Sequence, residues 1–275
     1  MPKLFFKKAL KYFFGKFYIL LIPIFKFAGG GLTKIPSNSQ ATISDLFLWR
    51  KDSDWTTFFE LLDIKYLINP NDEINRDSFA KFIFFNNLGE QIFEKNIAYS
   101  KDGRNTLNIT NILPDSINGF GTFSCFHIIS NTYLSESNSF FAERGYCGYS
   151  RNDNNCKSYV HGNLDAIAYN NSEIEMLGNF NKRTYFYNLQ YEFEAGINYE
   201  IIITNPTRKK QIITLNFTNL KNLDEMFTLN SRGSVVKKII FKENIKCRLI
   251  IKSNLYMARP IIFRYHENSL DVFHG

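Results

Sequence analysis

The stretch FFAERGYCGYSRNDNNCKSYVHGNLDAIAY, residues 140–169, gathers acidic residues, two arginines, a histidine, two cysteines and several glycines between aromatics. Folded back about the turn-forming NDNN, it would bring Glu143, Arg144, His161 and Asp165 to one end of a β unit. A carboxylate beside a histidine suits acid–base chemistry. Aromatics interleaved with Arg, Asn and Asp suit a sugar, which presents a flat apolar face and a rim of hydroxyls. Glu143, Arg144, Tyr146, Arg151, His161, Asn163 and Asp165 are therefore the candidate ligand-binding residues. The plainer reading makes Glu143–Arg144 a local ion pair, His161 a turn cap and the glycines tight bends.

No residue is assigned a catalytic role, and no metal ligand or cofactor is expected. Cys147 and Cys156 are too far apart for a CxxC clamp, and neither HExxH nor HxH spacing occurs. A Cys147–Cys156 disulfide would require an oxidising compartment. Cys125 and Cys247 sit inside apolar runs, which points to buried thiols. There is also no GxSxG elbow, P-loop or GxGxxG turn. A smaller cluster of Arg259, Arg264 and His266 reads most simply as a strand end and tail.

The elements that must position these residues are strands. With 44% hydrophobic and 16% aromatic residues, including 28 Phe and 15 Tyr, a chain of 275 residues can bury a core without disulfides. From Lys81 onward the punctuation is that of a β protein. KFIFFNNLGEQIFEKNIAY reads as a hairpin around Asn-Asn-Leu-Gly, NTLNITNIL alternates, and GFGTFSCFHII is a strand opened by glycines. Further on, strand pairs are expected around Asn205-Pro206, Arg232-Gly233 and Ser253-Asn254. Earlier, Trp55, Phe58, Phe59 and Leu62 fall at helical spacing behind Ser53 and Asp54 as caps, which predicts a short helix.

The net charge of +7 is concentrated in one segment. Before Asp45 there is no acidic residue, while Lys3, Lys7, Lys8, Lys11, Lys16, Lys26 and Lys34 are all basic, leaving 26 Lys and Arg against 26 Asp and Glu. A neutral body lacks a nucleic-acid footprint, so no nucleic-acid partner is expected. In MPKLFFKKALKYFFGKFYILLIPIF, Lys3, Lys7, Lys8 and Lys11 share one helical face, and Phe6, Leu10, Phe13 and Phe17 the other. That pattern predicts a basic amphipathic helix contacting an anionic membrane surface through these eight residues. The apolar run from Phe17 to Phe25 is too short to span a bilayer, which takes about 20 residues. A signal peptide and an ordinary packing helix remain the alternatives.

The expected fold class is mainly β: one or two antiparallel β-sandwich modules, preceded by an N-terminal amphipathic helix and a short helical segment. The expected division is 1–31 helix and glycine linker, 32–80 linker and helical segment, 81–170 first β module, and 171–275 second β-sandwich module, the two modules echoing each other in strand order.

The run YEIIITNPTRKKQIITLNF, with FTLNSRGS and RLIIKSNLYMARPIIFRY after it, resembles the β-sandwich of the microbial sensory-rhodopsin transducer proteins. The shared pattern is a strand ending in Asn before a turn, an alternating apolar strand, an Arg-plus-small-residue bend and a closing strand. The resemblance implies a sandwich for Tyr199 to Tyr265 and carries no function. The expectation is then a non-enzymatic accessory or binding protein, peripheral to the cytoplasmic face of a membrane, with a carbohydrate, cell-surface polymer or protein as partner. The alternatives are a surface-sugar hydrolase or transferase using Glu143, His161 and Asp165, and a transducer-like protein-interaction module.

Overall fold

The computed structural model describes residues 34–38, 40–52, 54–63, 79–100, 103–128, 142–143, 145–151, 156–178, 180–255, 259–267 and 269–274. The expected N-terminal amphipathic helix and its membrane-contact residues lie outside these, as does Arg144. The backbone of Asp165 is described but not its side chain.

Strands dominate the described residues. In the first part of the chain these are β1 (Thr42–Arg50), β2 (Trp55–Leu62), β3 (Phe79–Asn86), β4 (Gln91–Ala98), β5 (Arg104–Asn108) and β6 (Phe120–Ile128). A single helical turn, α1 (Ile109–Ile112), follows β5, capped by the Asn108 side chain. Then come β7 (Ala142–Glu143), β8 (Tyr146–Arg151), β9 (Ser158–His161), β10 (Asn163–Asn170) and β11 (Glu173–Met176). The remainder are β12 (Phe180–Phe193), β13 (Asn198–Thr204), β14 (Gln211–Phe217), β15 (Glu225–Leu229), β16 (Ser234–Ile240), β17 (Ile245–Leu255), β18 (Ile261–His266) and β19 (Ser269–His274).

They form four sheets. A seven-stranded sheet runs β11-β10-β1-β6-β3-β4, with β7 added parallel to β1, and three four-stranded sheets run β5-β2-β8-β9, β12-β17-β14-β15 and β16-β13-β18-β19. Every pairing between these strands except β1–β7 is antiparallel. The β3–β4 hairpin forms where NNLG predicts it.

Two expectations from sequence are corrected. The helix expected over Trp55–Leu62 is strand β2, with Trp55, Thr57, Phe59 and Leu61 buried and the residues between them half-buried. Eight residues containing WTTFF fit both periods. Adjacent β-branched threonines and aromatics favour the strand, and β5 and β8 pair with it from either side. The strand pairs expected around Asn205-Pro206, Arg232-Gly233 and Ser253-Asn254 do not form either, β15 and β16 on either side of Arg232-Gly233 also belonging to different sheets. β13 and β14 belong to different sheets, and β17 continues through Ser253 to Leu255. At the first of these crossovers the buried Asn205 amide donates to the carbonyls of Lys209, Leu229 and Asn230 (2.8–3.1 Å) and accepts from the Thr207 N–H and hydroxyl. That side chain satisfies backbone groups which a hairpin ladder would otherwise hold.

The sheet β16-β13-β18-β19 contributes both of its faces to apolar cores. Tyr199, Ile201 and Ile203 of β13 and Ile262 of β18 join one core with Phe193, Ile213, Leu215, Leu249 and Ile251. Ile202, Ile261, Phe263 and Val272, of opposite parity, join a second core with Phe47, Trp49, Trp55, Phe59, Phe82, Phe84, Phe123 and Tyr149. This double burial explains why Ile201, Ile202 and Ile203 of β13 are apolar in succession instead of alternating with polar residues. The β3–β4 turn docks on the turn between β15 and β16. Gly89 has φ +86°, and a Cβ there would stand 2.0 Å from the Ser231 carbonyl oxygen, so both backbone conformation and space require glycine.

Candidate functional site

The sheet β5-β2-β8-β9 buries one face and turns the other to solvent. Its inner face carries Trp55, Phe59, Cys147, Tyr149 and Val160 into the core. Strand parity then places Phe58 and Glu60 of β2, Thr106 and Asn108 of β5, Tyr146 and Gly148 of β8, and Tyr159 and His161 of β9 on the outer face. The row Asn108–Phe58–Gly148–Tyr159 crosses all four strands in register.

Gly148 shapes this face. A Cβ on it would lie 2.6 Å from the Tyr159 ring, so the missing side chain is what lets that ring lie across the backbone of β8. Tyr159, 40% exposed, donates its hydroxyl to Glu60 Oε1 at 3.1 Å. Thr106 donates to the same carboxylate at 2.9 and 3.0 Å. Burial and the Glu60 charge together raise the Tyr159 phenol above its ordinary pKa, keeping it protonated and donating. Lys157 holds its ammonium 4.0 Å from the centre of the half-buried Phe58 ring. Tyr146, 54% exposed, meets His161 edge to face at 6.3 Å. The result is a strip of accessible rings around a carboxylate that two hydroxyls orient.

The residues expected from sequence divide among several places. Tyr146 and His161 are brought together as a cross-strand pair of the β8–β9 hairpin. Beyond them, Arg259 donates to His161 Nε2 at 3.3 Å, and His274 stacks obliquely on the His161 ring at 4.5 Å. Arg151 lies opposite Trp55 and covers the Tyr265 ring at 4.6 Å. Asn163 is buried and donates to Thr204. Phe58, Glu60, Thr106 and Tyr159, which give the outer face its character, are not among the residues singled out from sequence. Reading 55–62 as a helix hides the alternation that places Phe58 and Glu60 side by side on one face.

Glu143 lies elsewhere, inside the protein. Its carboxylate is 2.5 Å from His127 Nε2, while Nδ1 of the same ring bonds the Tyr99 hydroxyl. Both His127 and Glu143 are 2% exposed. Cys125 and His127 alternate along β6, so both point into the space that Glu143 enters from β7. One ligand atom from each of Cys125, His127 and Glu143 lies within 4.8 Å of the others. Burial first, and then the Glu143 charge, pushes the Cys125 thiol well above its ordinary pKa, and burial likewise raises Tyr99. The C-x-H spacing in FSCFHI was the readable signal, since two residues apart on a strand share a face. A search for CxxC and HxH passes over it. Cys125, Cys147 and Cys247 are buried thiols.

No protein-family model matches this chain, and no curated protein matches it. Among the described residues no helix is long and apolar enough to cross a membrane.

Proposed function

We propose that this is a non-enzymatic, β-sandwich-type binding protein whose outer β5-β2-β8-β9 face recognises carbohydrate, with the basic N-terminal segment holding it at an anionic membrane surface. The observation that carries the reading is the strip Phe58–Tyr159–Tyr146 around Glu60. The exposed Tyr146 and Tyr159 rings and the half-buried Phe58 present apolar area to the face of a pyranose, and an oriented carboxylate with flanking threonine, asparagine and histidine accepts and donates to its hydroxyls. Binding is favoured over hydrolysis because Glu60 is the only acidic residue on these four strands, whereas the usual glycosidase pairs two carboxylates across the scissile bond. The buried Glu143 is engaged with His127 and is not positioned beside His161.

Glycan-array binding of the full chain, followed by calorimetry on the best ligand, tests this. The expected result is binding that Phe58→Ala and Tyr159→Ala each abolish while melting temperature stays near wild type. If no glycan binds, or binding survives both substitutions, the proposal fails. Co-sedimentation with anionic vesicles, with and without residues 1–31, tests the membrane half separately. Equal sedimentation of the two would remove it.

A further inference from the structure

We propose that Cys125, His127 and Glu143 form a structural site for a divalent transition metal, zinc being the best fit, with Tyr99 as the positioning residue. The site stands apart from the outer face and does not depend on its function.

Four observations converge. The donor set is one thiolate, one imidazole and one carboxylate, the mixture that zinc accepts in its tetrahedral sites. The charges balance: thiolate and carboxylate together neutralise a dication while the histidine stays neutral, so all three ligands can be buried without a net charge. All three are buried, with Cys125 fully so and the other two 2% exposed, so a bound ion would be shielded from solvent on its protein side. Finally, the Nδ1 of His127 already has a partner in the Tyr99 hydroxyl, and the two rings lie almost parallel at 5.7 Å. Metal-binding histidines are held in this way by a hydrogen bond on the nitrogen that does not ligate.

Binding is a proton-for-metal exchange. Without metal, Nε2 of His127 shares a hydrogen bond with the Glu143 carboxyl and Nδ1 shares one with the Tyr99 hydroxyl. Metal on Nε2 requires the imidazole proton on Nδ1, where it donates to the Tyr99 oxygen, so a proton held on Nε2 moves to Nδ1 or leaves to solvent, and the Cys125 thiol proton leaves to solvent as the sulfur–metal bond forms. Ligand bonds of about 2.0–2.1 Å to nitrogen and oxygen need those two atoms roughly 3.3 Å apart, so the carboxylate must move outward by somewhat under an ångström from its hydrogen-bonded position. Three protein ligands leave a fourth coordination position. The consequence for the fold is a staple. β7 is only two residues long and is held to β1 by the pairs Ile43↔Ala142 and Ser44↔Glu143. A metal would tie it directly to the central strand β6.

The full chain, purified without added chelator, should bind one Zn²⁺, and one Co²⁺ in its place with a thiolate-to-cobalt charge-transfer band in the near ultraviolet. Zinc should raise the melting temperature, and a strong chelator should reverse the rise. Cys125→Ser should abolish the charge-transfer band, Glu143→Gln should weaken metal binding by at least tenfold, and Tyr99→Phe should weaken it by about 10–100-fold while leaving the band in place. Failure of wild-type protein to bind either ion, a cobalt complex without thiolate character, or stoichiometric metal retained by Cys125→Ser would each overturn the proposal. Should Cys125→Ser not fold, the cobalt band of Cys156→Ser decides: the band must persist without the exposed Cys156, and its loss would overturn the proposal.

Discussion

Arg50, at the end of β1, pairs its guanidinium with Glu200 of β13 in the interior of the protein, both side chains being 0–1% exposed. The same guanidinium bonds Asp52 through two nitrogens at 2.6 and 2.9 Å and lies over the Trp55 and Phe263 rings at 4.6 and 5.1 Å. Glu200 in turn accepts from the Tyr265 hydroxyl at 2.9 Å and approaches Lys238 at 3.4 Å. One ion pair thus joins an early strand to the sheet that serves both cores.

Removing Arg50 leaves the buried Glu200 with only the Tyr265 hydroxyl and Lys238, and takes from Asp52 its guanidinium. Arg50→Met is expected to destabilise the protein by about 3–5 kcal/mol, measured by urea unfolding. Replacing both, as Arg50→Met with Glu200→Gln, should cost clearly less than the sum of the single changes, because no uncompensated charge remains. Additive costs would show that the two groups do not act as a pair.

His274 should make the protein acid-sensitive. Burial, aided by the nearby His161 and Arg259 and opposed by hydrogen bonds to the His161 and Pro260 carbonyls, pushes its pKa down to about 4. The unfolded chain takes up this proton near the ordinary value of 6.5, the folded one only near 4. The contribution is therefore complete above about pH 6.5 and is lost as pH falls towards 4, with an upper bound of about 3 kcal/mol. His274→Gln should flatten the stability–pH profile in that window, read from denaturation midpoints between pH 4 and 7.

Gly148→Val is expected to separate binding from stability. The new side chain meets the Tyr159 ring, which is 40% exposed and can turn outward at the cost of one exposed hydrogen bond to Glu60, so thermal stability should change little. Glycan affinity should fall at least tenfold, about 1.4 kcal/mol, because the platform is displaced. A variant with wild-type affinity would show that the Tyr159 ring position is irrelevant.

Gly89→Ala should have the opposite profile. Its positive φ and the 2.0 Å approach to Ser231 oppose any side chain, and both neighbours are backbone. A loss of about 2 kcal/mol or more is expected, with the outer face still intact in whatever fraction folds. Chemical denaturation monitored by tryptophan fluorescence would measure it, since Trp49 and Trp55 are both buried in the folded protein.

How much was legible shows most clearly in the 140–169 stretch. Its asparagine-rich turn marks the β8–β9 hairpin, but hairpin parity pairs His161 with Tyr146 and not, as the sequence suggests, with Glu143. Glu143 was read together with its chain neighbours, yet its partners are His127, 16 residues away, and Tyr99. Sequence motifs depend on local spacing, and a site assembled from β6, β7 and the residue after β4 has almost none. The C-x-H pair was its one local trace.

The sequence by itself determined that this chain is built of strands: aromatics and β-branched residues alternating with polar ones between Gly, Asn and Pro turns favour extended backbone with one face buried. It also determined that the basic excess belongs to the segment before Asp45. Only the tertiary structure decided which strand pairs with which. β13 and β14 look like a hairpin yet enter different sheets, and Trp55–Leu62 becomes a strand once β5 and β8 flank it. The physical reason is that backbone hydrogen-bonding groups are the same at every residue, so a strand's sequence sets which face it buries but not its neighbour. The partner is selected by the packing of distant side chains, and distant residues likewise meet between strands that do not pair, as Arg50 meets Glu200 and Glu143 meets His127.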